Sequence, residues 1–126
     1  MSTLEEIDSL LKGLESEIPG VIGTIVATQD GFVITDTLSG DGAEEVAAMV
    51  ATTAGVSARM SDTLSAGTVE ETSIKGERGS IFLYRSGDEG VLGVVAEGDV
   101  NVGMINLRAR RVAREVEDRL QSPSVT

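Results

Sequence analysis

Pro19-Gly20-Val21-Ile22-Gly23-Thr24-Ile25-Val26-Ala27-Thr28-Gln29-Asp30-Gly31-Phe32-Val33-Ile34-Thr35 is the stretch that decides the fold class. Two runs rich in β-branched residues flank Asp30-Gly31. An Asp-Gly pair accepts the positive φ angles of a tight turn, so the stretch predicts a β-hairpin with strands near 21–28 and 32–37. Val21 to Ala27 is almost wholly apolar, which predicts cover on both faces of the first strand. The hairpin lies between a short helical pattern and a long one. That order excludes a plain helix bundle and a parallel βαβ repeat, and it predicts an antiparallel sheet with helices packed on it.

Upstream of the hairpin, Leu4, Ile7, Leu11, Leu14 and Ile18 recur at steps of three and four, with Glu5, Asp8, Lys12 and Glu15 off that stripe. The spacing predicts a helix at about 3–17, opened by a capping box of Thr3 and Glu6 and stopped by Pro19-Gly20. Downstream, Asp41 and Glu44 repeat the capping pattern and open a long helix at about 42–65, ended by Ala66-Gly67. This helix is rich in small residues (Ala43, Ala47, Ala48, Ala51, Ala54, Gly55, Ser57, Ala58). Gly55 costs about 1 kcal/mol against alanine in a helix interior, so close packing is the expected reason for it. Three strand-like runs follow, Thr68 to Ile74, Ser80 to Arg85 and Val91 to Glu97, joined by the glycine-rich turns 76–79 and 86–90. Such short connections favour antiparallel neighbours. The first run carries Glu70, Glu71, Thr72 and Ser73, and that polarity suits a sheet edge. Asn101 caps a last helix at about 101–120, with Val102, Ile105, Ala109, Val112, Val116 and Leu120 as its apolar stripe. The resulting class is α+β in the order α-β-β-α-β-β-β-α. A five-stranded antiparallel sheet carries the two terminal helices on one face and the long middle helix on the other. Residues 1–120 form a single domain in this reading, and 121–126 form a frayed tail.

Composition narrows the function. The 126 residues are 40% hydrophobic but only 2% aromatic, so the core is built from Val, Ile, Leu, Ala and Met. The net charge of −11 disfavours nucleic acid and anionic membrane as partners, and solubility is its first explanation. There is no cysteine and no histidine, which removes disulfides, thiolate zinc sites, cysteine nucleophiles and Ser-His catalysis. The acidic, amphipathic first twenty residues do not read as a signal peptide, no run is long enough to insert in a bilayer, and a cytoplasmic location is expected.

Candidate chemistry is sparse. The adjacent carboxylates Glu44/Glu45, Glu70/Glu71 and Asp88/Glu89 fall at a helix start, an edge strand and a turn. Solvation and helix-dipole roles explain them better than acid–base work. Asp30, Asp36 and Asp41 are turn residues without EF-hand spacing. The glycines at 76, 79, 87, 90 and 93 form no phosphate loop with a terminal Lys-Ser/Thr, so the chain does not read as a nucleotide-binding GTPase. Arg108, Arg110, Arg111 and Arg114 read first as a solvated helix face, with Arg111–Glu115 and Arg114–Asp118 as weak pairs, and second as a patch for an acidic partner. Arg78 and Arg85 are the loop-borne arginines that could reach toward another protein's nucleotide. Val46, Met49, Val50, Thr53, Val56 and Met60 give the middle helix more apolar surface than one sheet contact needs. Two such helices could bury the surplus against each other, and methionine suits adaptable interfaces.

The element order and several local patterns resemble the roadblock/LC7 family over residues 3–120. The carriers are Ile18-Pro19-Gly20-Val21, Gln29-Asp30-Gly31-Phe32-Val33-Ile34 and Ala66-Gly67-Thr68-Val69-Glu70. Near the end come Gly98-Asp99-Val100-Asn101-Val102-Gly103 and Ile105-Asn106-Leu107-Arg108. The resemblance, in character to prokaryotic MglB-like or conservon B-like members, implies a profilin-like fold and an adaptor rather than an enzyme. It implies a homodimer in which the middle helices pack together and the third strands join two sheets into one. On that basis the interface falls on Val46, Met49, Val50, Thr53, Val56, Ser57, Met60, Glu70 and Thr72. It implies binding and regulation of a Ras-like small GTPase, with no cofactor or metal. The alternative is a structural scaffold subunit of a motor or signalling complex that leaves nucleotide turnover alone. A small-molecule sensor is a further class, against which the few aromatics and missing histidine argue.

Overall fold

Along the chain come α1 (Thr3–Glu17), β1 (Val21–Thr28), β2 (Val33–Asp36), α2 (Ala43–Thr63), β3 (Glu71–Lys75), β4 (Gly79–Ser86), β5 (Gly90–Glu97) and α3 (Val102–Gln121). The structure is a computed structural model and describes residues 1–121. The tail expected at 121–126 lies outside the described residues except for Gln121, which is the last residue of α3. Element types and order agree with the sequence reading.

The sheet runs β2-β1-β5-β4-β3, antiparallel at every pair. The last strand, β5, therefore inserts between β1 and β4, and β2 and β3 are the edges. The β1–β2 turn holds Gln29, Asp30 and Gly31. Thr28 N donates to Phe32 O at 2.8 Å, and Gly31 N donates to Thr28 O at 3.0 Å. Only Gly31 has positive φ, at 94°, so Asp30 is not the left-handed residue the Asp-Gly reading allowed. This is the three-residue loop form of the hairpin, a turn followed by one left-handed glycine. A bulge follows. Val26 pairs with Thr35 while Ala27 pairs with Val33, leaving Ile34 extra on β2.

Two clusters flank the sheet. On one face Ile7, Leu11, Leu14 and Ile18 of α1 and its end pack with Ile105, Ala109, Ala113 and Val116 of α3 over Val26, Phe82, Tyr84, Leu92 and Val94. On the other, Ala47 and Val50 of α2 pack over Ile25, Ala27, Leu83 and Val91. Gly93 sits under this contact. A Cβ there would lie 3.0 Å from Ile25 Cγ2 and in ordinary contact with Val50 Cγ2 at 3.7 Å, so a side chain would have to displace Ile25 beneath the helix. The three-layer arrangement is as read from the sequence, with small corrections. Leu4 and Val102, the first residues of their stripes, are exposed. Ile22 is exposed on β1, so the cover of that strand is incomplete.

The helix ends correct the sequence reading in detail. Ser2, not Thr3, caps α1. Its Oγ accepts from Glu5 N at 3.2 Å and donates to Glu5 Oε1 at 3.1 Å, a side-chain cap one residue earlier than the sequence suggested. The N-cap of α2 is Gly42, not Asp41, and no side chain caps it. Glu44 and Glu45 in the first turn complement the dipole instead. Asn101 caps α3 as expected, accepting from Met104 N at 2.9 Å. At the end of α2, Ser65 N donates to Asp62 O at 3.1 Å and Ala66 N to Ser61 O at 2.7 Å. That is a Schellman motif, with Ser65 at φ 59° in the left-handed position usually given to glycine. The return from this motif uses the residues up to Glu70, so β3 begins at Glu71 rather than Thr68. Among the described residues no helix is long and apolar enough to cross a membrane.

Candidate interaction surface

The second half of α2 is bare. Its buried residues are Ala47, Val50 and Ala51, all in the first half of the helix. Around and beyond them Met49, Val56, Met60 and Leu64 are 53%, 55%, 58% and 72% exposed and lie on the outer side. Val46, Met49, Thr53, Val56 and Met60 follow alternating steps of three and four, which places them on one seam. Gly55 does not serve the packing that was expected of it, because a Cβ there would meet nothing of the chain within 4 Å.

The structure separates the residues assigned to the interface by sequence. Met49, Val56 and Met60 are exposed on the seam, with Thr53 and Ser57 half-buried beside them. Val50, at 6% exposure, is committed to the chain's own sheet, and half-buried Val46 packs against the same cluster. Val50 is thereby removed from the candidate surface. Its position, a step of three after Ala47, turns it beneath the helix. Glu70 is exposed in the return segment, and Thr72 is half-buried on edge strand β3. Leu64 and Ile74 are exposed apolar residues that the sequence reading did not assign to this surface. Leu64 continues the seam a step of four past Met60, and Ile74, 42% exposed on β3, alternates with Ser73 and Lys75.

Beneath the bare half of α2 runs a groove of about 400 Å³. Ala54 and Ala58 line its helix side, Leu83 and Val91 its sheet side, and Asp62 and Arg85 are among its polar residues. Arg85, one of the two reaching arginines, is paired with Asp88 at 2.5 Å. Arg78 is exposed in the β3–β4 turn.

Edge strand β3 is held from the opposite face. Arg110 of α3 forms an ion pair with Glu71 through Nε and a second bond from Nη2 to Oε1 at 2.9 Å. The Arg110 hydrogen bond holds the Glu71 carboxyl below its ordinary pKa, against a smaller opposing effect of burial. Next to it, the Tyr84 hydroxyl donates to Asn106 Oδ1 at 2.7 Å. Burial pushes the Tyr84 pKa up, and the Glu71 charge adds to the effect. The other arginines of α3 are largely engaged: Arg108 with Glu17 at 2.8 Å, Arg111 with Glu115 at 3.4 Å and Arg119 with Glu6 at 3.0 Å. Arg114 and Asp118 do not pair among the described residues. Half-exposed pairs of this kind contribute a few tenths of a kcal/mol each.

Fold and surface together define a class: a small domain with one antiparallel sheet between helices, one of which carries an unpartnered apolar face. The chain belongs to the Roadblock/LC7 family, whose model matches residues 6–96. It is 35% identical over 112 residues to the uncharacterised protein MJ1340 of Methanocaldococcus jannaschii, covering 88% of this chain and 96% of that one. Among solved structures it is similar to a Roadblock/LC7 domain from Streptomyces avermitilis, with a TM-score of 0.86 at 19% identity over 91% of this chain and 98% of that chain. It is also similar to the gliding protein MglB from Thermus thermophilus, with a TM-score of 0.83 at 18% identity over 91% of this chain and 88% of that chain. At these identities the solved structures speak for the fold.

Proposed function

We propose that the chain is a cytoplasmic, non-catalytic, homodimeric adaptor that binds and regulates a Ras-like small GTPase. The observation that carries this reading is the bare seam on α2. Steps of three and four are the spacing of a two-helix interface, and a second copy of the same helix covers such a seam by knobs-into-holes packing. Antiparallel packing suits the charges. It brings Arg59 of one copy toward Glu44 and Glu45 of the other and opposes the two helix dipoles. Family membership supports the reading, as does the tetrameric arrangement in which one MglB has been solved. The dimer surface would hold the switch loops of the GTPase in a chosen conformation, a population shift rather than chemistry by this chain.

Light scattering on the purified chain, alone and mixed with a candidate Ras-like GTPase in each nucleotide state, tests the proposal. The expected result is a dimer that gains mass with one nucleotide state. A dimer that binds no form of its GTPase and leaves hydrolysis and exchange unchanged points to the scaffold role. A monomer removes the helix-pairing premise.

A further inference from the structure

We propose that the N-terminal half of α3 is a docking surface for an acidic amphipathic helix of another protein, apolar where it meets Leu107 and carboxylate-rich along its flanks. The surface lies in the α1–α3 layer, across the sheet from α2, so it goes beyond the adaptor reading and stands whether or not two copies pair. Charge singles it out. The chain holds 21 aspartates and glutamates against ten lysines and arginines, yet Asn101 to Arg114 contains four arginines and no carboxylate. Arg110 is committed to Glu71 and Arg108 to Glu17. The Arg111 side chain is 72% exposed and meets only Glu115 of its own helix, at 3.4 Å. Arg114 is exposed and forms no ion pair among the described residues. Two guanidiniums a step of three apart are therefore open to carboxylates from outside, which they can grip with two parallel hydrogen bonds each.

The helix starts make a second, independent observation. α1 opens with Glu5 and Glu6 and α2 with Glu44 and Glu45, each pair complementing the helix dipole. The first turn of α3 has no acidic residue, and its first carboxylate is Glu115. The stabilisation that the other two helices take from their first turns is forgone where a carboxylate would repel an acidic partner. The apolar component is on the same half of the helix. Leu107 is 69% exposed, and Val102 and Met104 are exposed with it. Leu107, Arg111 and Arg114 follow steps of four and three and share one face. Beside them a groove of about 350 Å³ runs between α3 and α1, lined by Leu10, Leu14 and Val112 together with Arg108 and Arg111. It offers apolar side chains of the partner a seat next to the guanidiniums. A flat anionic membrane fits this layer less well. α1 lies alongside α3 and carries Glu5, Glu6, Asp8, Glu15 and Glu17 against Lys12 alone, so a broad surface meets those carboxylates too. A single helix, about 10 Å across, rests on α3 and the groove.

The test uses the full chain and a fluorescein-labelled peptide of about twenty residues, with leucines at steps of three and four and glutamates between them, read by fluorescence anisotropy. The control peptide has glutamine for every glutamate. The glutamate peptide is expected to bind about tenfold tighter than the control, although the chain as a whole repels it, because only local cations give that preference. Arg111→Glu combined with Arg114→Glu is expected to remove about tenfold in affinity, and lysine at both positions to keep most of it. Gly103→Glu separates docking from folding. A Cβ at Gly103 meets only Asn101 Oδ1, at 3.4 Å, and the new carboxylate would sit in the first turn, four residues before Leu107. The expected result is a later urea midpoint with weaker peptide binding, two shifts that a purely structural role would not set against each other. Equal binding of the two peptides, no binding of either, or an unchanged affinity in the charge-reversed variant overturns the proposal. Sedimentation of the chain with phosphatidylserine vesicles, lost in the charge-reversed variant, assigns the surface to a membrane and overturns it as well.

Discussion

Ser65 stands where a glycine is the usual choice. Its left-handed backbone, φ 59°, completes the Schellman end of α2, and a Cβ in that region costs roughly 1 kcal/mol. Ser65→Gly should therefore raise stability by about 1 kcal/mol, visible as a later urea midpoint at unchanged slope. An equal or earlier midpoint would mean that the motif is not the limiting strain. Glu71 supplies a second prediction. Its carboxyl pKa is lowered chiefly by the Arg110 hydrogen bond, and that of Asp8 chiefly by the Lys12 hydrogen bond. A lowered carboxyl pKa favours the folded state above the unfolded pKa, and that stability is lost as pH falls through the folded one. Unfolding titrations should show stability falling below about pH 4, with a smaller loss in Glu71→Gln. Residues are also where the sequence was least legible. Ser2 and Thr3 both offer a hydroxyl three residues before a glutamate, and Asp41 and Gly42 offer competing starts for α2. Only the path of the incoming chain decides between them.

Among the elements, α2 is the one whose surface outruns its packing. Val56→Asp and Met60→Asp alter side chains that touch little of their own chain, so the monomer fold should lose less than about 1 kcal/mol. Self-association should fall at least about tenfold, because each variant buries an unpaired carboxylate in the pairing seam. Sedimentation of the folded variants decides, and two intact dimers would exclude the seam. The helices and hairpin were readable because their signals are local: stripes at steps of three and four, Pro19-Gly20 as a stop, Asp30-Gly31 as a turn. The insertion of β5 between β1 and β4 was not readable, since nothing in a strand names its neighbour. The division of α2 into a covered half and a bare half was readable only in part. Val50 looks like Val56 in sequence, and the sheet beneath one of them makes the difference.

For the whole molecule the charge of −11 is the dominant long-range term. Two copies of this charge repel over about a Debye length. Net repulsion should win, so the dimer should tighten several-fold between roughly 10 and 150 mM salt, read by sedimentation. Weakening with salt would place the main attraction in ion pairs instead. The unequal edges of the sheet have a further consequence. β3 is regular and presents an open ladder, whereas β2 is short and carries the Ile34 bulge next to its turn. A sheet with two regular edges could add copies end on end into a fibre. With one edge regular and the other broken by a bulge, the sheet offers one edge for strand addition, which guards against open-ended growth.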